Sequence, residues 1–214
     1  MMISPELYYD ENIKGKGPKE IMTQIRSLKK DINKIKKEIV AYCVEPKTTV
    51  LPDPFTTMKV YRQYLERAKQ ALEEAGEKYE PTILEKREIA FNESLENIKS
   101  IFFYIGGLIG TEYIDISFTD EAAICRHSFI RSPEEKIWEV SKEEIIDAFK
   151  DMHIGEWKRD YYNYNTLDGV QWCLDMEYFN GHRRIRISGS NAFPYNFEEL
   201  MKFFEIEFWS SSDD

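Results

Sequence analysis

Three histidines and three cysteines are the scarcest reactive side chains of this 214-residue chain, and their spacing limits what each can do. Cys125 and His127 stand two apart in an alternating stretch, so they share one face of a strand. A thiol nucleophile needs its imidazole base in hydrogen-bond contact. Same-face neighbours on a strand are about 7 Å apart at the backbone. With no third residue to orient the histidine, the pair reads as ordinary sheet residues. Glu143, Asp147 and Asp151 repeat at i, i+4, i+8 on one helical face with His153 just beyond, a row that could hold a hard cation or a transition metal. It lacks a Glu-x-x-His or His-Glu-x-x-His run, and a solvated acidic face is the simpler expectation. His182, Arg184, Arg186 and Ser188 alternate onto one surface ahead of Gly189-Ser190-Asn191, the composition of an anion site. Trp157, Tyr161, Tyr162, Tyr164 and Trp172 form an aromatic set suited to stacking on sugars, bases or a protein partner. Core packing competes with that reading, but Trp157 to Gly169 is the first place to expect a binding surface. No catalytic set, metal site or cofactor motif is assembled, and no cofactor is expected.

The elements that must carry these residues divide the chain in two. After Gly15-Lys16-Gly17-Pro18, apolar residues fall at Ile21, Ile25, Leu28, Ile32, Ile35 and Ile39. That spacing of 4, 3, 4, 3, 4 is a heptad seam. A second seam runs through Tyr61, Leu65, Ala68, Leu72 and Ala75, from near Pro54 to Gly76. Prolines at 46, 52 and 54 separate the two, so an antiparallel helical hairpin is expected. A seam of isoleucines over 21–39 also permits homo-oligomerisation. Residues 81–98 are ambiguous. Leu84, Phe91, Leu95 and Ile98 could line a third helix, but Glu88 falls on the same stripe, and a strand over 88–91 competes.

Beyond Lys99 the period shortens to two. Ile101, Phe103 and Ile105, then Ile114, Ile116 and Phe118, then Ile124 to Phe129 read as three strands of a meander. Ser141-Lys142-Glu143-Glu144 is a capping box opening a short helix that ends near Gly155, and Asn196-Phe-Glu-Glu is read as a second box before a closing helix. Between them, Asn180-Gly181 predicts a tight hairpin in which paired residue numbers sum to 361. Leu174 then faces Ile187 and Met176 faces Ile185, while Asp175 meets Arg186 and Glu177 meets Arg184. The carboxylates opposite the arginines argue against an anion site. Gly189 is expected to let the chain bend toward the last helix, and the tail from Ser210 to Asp214 to fray. The fold class is α+β: an N-terminal antiparallel helical hairpin over residues 1–98, then an antiparallel sheet with two packed helices over 99–214.

Charge separates the halves further. Residues 1–99 carry 18 basic and 17 acidic side chains, whereas residues 100–214 carry 11 and 22, a net of −11. Lys19, Arg26, Lys29, Lys30, Lys34, Lys36 and Lys37 leave the first seam helix with a net of +4. The acidic second half repels nucleic acid and suits a basic protein partner. No stretch approaches the ~18–20 apolar residues of a membrane span, and no signal peptide is evident, so no membrane association is expected. Three widely spaced cysteines (Cys43, Cys125, Cys173) fit a reducing, cytoplasmic setting.

The run Leu167-Asp168-Gly169-Val170-Gln171-Trp172, then Asn180-Gly181, then Ser188-Gly189-Ser190-Asn191-Ala192-Phe193-Pro194-Tyr195-Asn196-Phe197 resembles the ending of small bacterial proteins of unknown function, often from Gram-positive species. It covers about 40 of the 214 residues, implies a Trp-bearing strand, a hairpin and a last helix, and transfers no activity. In size, acidity and α+β character the chain is also similar to some bacterial toxin-immunity proteins. The residues therefore favour a non-enzymatic, macromolecule-binding module, with an immunity-type protein neutralising a cationic toxin as its sharpest form. The alternatives are a small-molecule enzyme, requiring His127, His153 or His182 beside carboxylates, and an oligomeric scaffold built through the N-terminal helices.

Overall fold

The structure is a computed structural model. It describes residues 2–44, 52–107, 110–130, 132, 134–165, 169–179 and 181–206, with the side chains of 42–44 left out. Asn180, Leu167, Asp168, Pro46, the Cys43 side chain and the tail 210–214 lie outside the described set. The chain is α+β and forms two compact units, Met1–Glu80 and Pro81–Trp209.

The first unit contains α1 (Pro5–Asn12), α2 (Pro18–Val44) and α3 (Pro54–Glu74). The two heptad seams meet as a hairpin. Ile21, Ile25, Leu28, Ile32, Ile35 and Ile39 are buried in this chain, as are Leu65, Ala68 and Leu72 of α3. The isoleucine seam is thus buried within the chain, where α2 packs on α3. The ends follow from capping chemistry. The Asp53 carboxylate accepts from Thr56 N (2.9 Å), Pro54 supplies a preset first residue, and Gly76 takes φ +83° just past the end. Helix α1 was not legible from periodicity. Its start is capped by Ser4, and Tyr8 stacks on Tyr64 of α3 at 4.2 Å. The Tyr64 hydroxyl donates to Ile3 O at 2.7 Å.

The second unit opens with α4 (Ile83–Ser94), so residues 83–94 are helix rather than strand. A reciprocal capping box between Thr82 and Glu85 explains its start. Phe91 and Leu95 are buried, while Leu84 is exposed. This helix belongs with the sheet, so the boundary between units falls before Pro81 rather than after residue 98. The strands are β1 (Ile98–Gly107), β2 (Gly110–Phe118), β3 (Ala122–Phe129), β4 (Glu135–Ser141), β5 (Asp160–Tyr162), β6 (Gln171–Tyr178) and β7 (Ile185–Ser190). They form one sheet in the order β4-β3-β2-β1-β6-β7-β5, antiparallel except for β5, which adds to β7 in parallel. Helices α5 (Lys142–Asp151) and α6 (Phe197–Phe203) contribute Ile145, Ile146, Phe149, Phe197, Leu200 and Met201 to the same core as the strands.

The hairpin register is the one the turn arithmetic demands: Leu174 opposite Ile187, Asp175 opposite Arg186 and Met176 opposite Ile185. Three other readings change. The meander has a fourth strand, β4, whose Glu135, Lys136 and Glu139 hid its alternation; charge of this kind suits an edge strand. Asn196 does stand at the N-cap of α6, but its side chain makes no cap hydrogen bond and is used elsewhere. Gly189 lies within β7, where a Cβ would come within 2.3 Å of Trp172 Nε1 and 2.6 Å of Ala192 O. The glycine therefore admits the indole, which donates across the strand to Ala192 O at 3.0 Å, rather than serving a bend.

Candidate functional site

The aromatic set splits. Trp157 (3% exposed) and Trp172 (0%) are core residues, in edge contact with each other at 6.0 Å, and they are closed to any ligand. Tyr161 is half-buried against Trp172. Tyr162 (51%) and Tyr164 (89%) remain exposed and stack on each other at 6.0 Å. A five-residue platform is thus reduced to a pair of tyrosines, because the two indoles are the largest apolar bodies available to fill the core beside α6.

The arginine face does meet carboxylates, but the close partner of Arg184 is Asp175, diagonal to it, rather than Glu177 directly opposite. Arg184 forms a two-pronged pair with the buried Asp175, through Nε and Nη2, and lies 3.9 Å from Glu177. Asn191, at φ +51°, accepts from Val170 N at 2.8 Å instead of facing an anion. Cys125 is buried, and burial pushes its thiol up to about 11, the opposite of an activated nucleophile. Cys173 is raised for the same reason. His127 instead pairs through Nε2 with Glu112 Oε2 at 2.7 Å.

Two features were not picked out from the sequence. The first is the sheet face opposite the core. Phe102, Tyr104 and Tyr113 cluster there, with ring centroids 6.1–6.4 Å apart. Exposed Ile124 and Ile137 lie on the same face of β3 and β4. Cross-strand neighbours place Asp115 and Arg126 on one side of Phe102, and Asp175 and Arg186 on the other. Its sequence signal was a strand with large residues at both parities, Phe102 and Tyr104 between Ile101, Phe103 and Ile105, which one buried face cannot absorb.

The second is a polar cluster where α4 packs on a one-turn 3-10 helix, Ile154–Glu156. His153 Nδ1 is in hydrogen-bond contact with Glu88 Oε1, and Glu156 Oε2 accepts from the Tyr195 hydroxyl at 3.0 Å. One donor atom from each of Glu88, His153 and Glu156 falls within 4.8 Å of the others, and all three side chains are half-buried. The turn is clamped from outside. Arg87 donates to Gly155 O (3.0 Å) and to Trp157 O. The buried Asn196 donates to Met152 O and accepts from Trp157 Nε1 (2.8 Å). A Cβ on Gly155 would meet Glu88 Cα at 2.8 Å, so glycine is what allows the helix this close. The acidic row expected to accompany His153 takes no part in this cluster. Glu143, Asp147 and Asp151 are exposed on α5, and the carboxylates come from α4 and the 3-10 turn. Glu88, the one acid on an otherwise apolar stripe, was the available signal.

Among the described residues no helix is long and apolar enough to cross a membrane. Compared with known proteins, the chain matches no family model, no curated protein and no solved structure.

Proposed function

We propose that this chain is a protein-binding module whose partner docks on the open face of the sheet. The observation that carries this reading is the Phe102–Tyr104–Tyr113 cluster with exposed Ile124 and Ile137 on the same face, opposite the sheet face that joins α5 and α6 in the core. Aromatic centres ringed by paired charges are the usual anatomy of a docking patch. The basic character of the partner, and the immunity-type form of the function, rest on the net charge of −11 in residues 100–214. Exposed Glu143, Glu144, Asp147 and Asp151 on α5 would steer such a partner at long range without touching it.

The test is capture from the native cell with the full chain and with a Phe102→Ser/Tyr113→Ser variant of unchanged circular dichroism, washed at two salt concentrations. A stoichiometric basic protein retained by the parent and lost by the variant supports the reading. Equal retention by both, or no protein partner at all, overturns it. The meeting of His153 with two carboxylates favours a second reading, acid–base chemistry on a small molecule, for which that histidine would be the proton carrier.

A further inference from the structure

We propose that Glu88, His153 and Glu156 form a binding site for one divalent first-row transition-metal ion. The inference is independent of the sheet-face reading, since the three residues come from α4, the 3-10 turn and the residue that precedes it.

The donor set is one imidazole nitrogen and two carboxylate oxygens, three protein ligands that would leave a coordination position for water. Two carboxylates balance the charge of a divalent ion. The imidazole discriminates against calcium and magnesium, which take oxygen donors, and the lack of a thiolate or thioether discriminates against soft ions such as Cu(I). Donor atoms already within 4.8 Å of one another need only small side-chain rotations to close on bonds of about 2.0–2.2 Å. The hydrogen bond between His153 and Glu88 is the contact that would open as the ion enters.

Placement is fixed by groups that are not themselves ligands. His153 sits at φ +51°, ψ +41°, a left-handed conformation that non-glycine residues seldom take. It is held between Met152 O, bound by Asn196, and Gly155 O, bound by Arg87. The Tyr195 hydroxyl orients the Glu156 carboxylate, the second layer of contacts that metal-binding carboxylates usually have. One helical turn beyond Glu88, on the same side of α4, Asn92 Oδ1 is buried without a hydrogen-bond partner among the described residues. It is an acceptor of the kind to which an ion-bound water donates.

The untagged full-length protein, titrated with Co(II) and followed by its visible absorption, is expected to bind one ion with a dissociation constant in the micromolar range or tighter. Zinc should displace it and raise the melting temperature. Glu88→Gln and Glu156→Gln, nearly isosteric, should each weaken binding at least tenfold, and His153→Asn, which tolerates the left-handed backbone, should do the same. Tyr195→Phe should weaken it about tenfold. His127→Gln removes the other carboxylate-paired histidine and should change nothing. Circular dichroism of each variant separates loss of the site from loss of the fold. Absence of binding below about 1 mM, or binding that survives all three ligand substitutions in folded protein, overturns the proposal.

Discussion

Asn196 shows how much structure one side chain can hold. Its amide donates to Met152 O and accepts from Trp157 Nε1, both buried, and so joins the start of α6 to the segment that presents His153 and Glu156. Removing it would leave a carbonyl and an indole N–H without partners away from water, at about 1–3 kcal/mol each. Asn196→Ala is therefore expected to lower unfolding stability by about 2–6 kcal/mol in total, read from the denaturant midpoint. A loss below about 1 kcal/mol would mean that both groups find other partners. The sequence offered Asn196 as a helix cap, since Asn before Phe-Glu-Glu fits that role locally. The structure chose the buried use because two orphaned groups outweigh one exposed cap. The run from Ser188 to Phe197 is explained in the same way, residue by residue. Gly189 admits the Trp172 indole, Asn191 holds Val170 N, and Asn196 clamps the turn.

At the scale of elements, period and punctuation were the legible signals. The α2–α3 seams, the β6–β7 register and the β1–β2–β3 meander follow from spacing, because each element has one clear face to bury. Helix α1 escaped because none of its residues is buried and it meets α3 through ring contacts, Tyr8 on Tyr64 and Arg67 over Tyr9, and strand β4 because edge charges masked its alternation. The candidate metal cluster was half visible. Glu88 was conspicuous, but that it meets His153, 65 positions away, is a tertiary fact. The start of α3 gives a prediction that belongs here. Hydrogen bonds from the Thr56 hydroxyl and amide hold the Asp53 carboxyl below its ordinary value of 3.8. A carboxyl lowered in the folded state contributes fully above its unfolded pKa, and that contribution is lost as pH falls through the folded one. Asp53→Ala should thus destabilise by about 1 kcal/mol at pH 7. The difference from the parent should shrink toward zero as pH falls below about 4, as measured by thermal unfolding across pH 2–7. A difference that persisted undiminished at pH 2 would show that the charge is not what the cap uses.

At the scale of the molecule, the division before Pro81 has a physical cause. Arg87 binds carbonyls at 155 and 157, Lys142 Nζ donates to Glu96 O (3.0 Å), and Phe91 and Leu95 enter the core shared by sheet and helices. Residues 81–209 expressed alone are therefore expected to fold, with dispersed amide resonances and cooperative unfolding. A fragment beginning at residue 99 would lose α4 and should not. If the 81–209 fragment proves unfolded, the two units depend on each other for stability. Charge follows the same division only loosely. The acidic excess lies largely outside the open sheet face, where acids and bases alternate. In the proposed docking mode, attraction at a distance and contact at the surface would fall to different parts of the second unit.

The central pairing of β1 with β6 has a consequence for synthesis. Some 60 residues separate the end of β1 from the start of β6. On the ribosome, the β1–β4 meander therefore emerges with one edge of β1 unpaired and with Ile101, Phe103 and Ile105 uncovered by α6. At 5–20 residues per second, that edge waits roughly 3–12 s for its partner. Over residues 101–105 it is apolar on both faces and holds no proline, which is the profile of a strand that pairs with a neighbouring nascent chain. A cell making this protein on crowded polysomes has good reason to shield that interval.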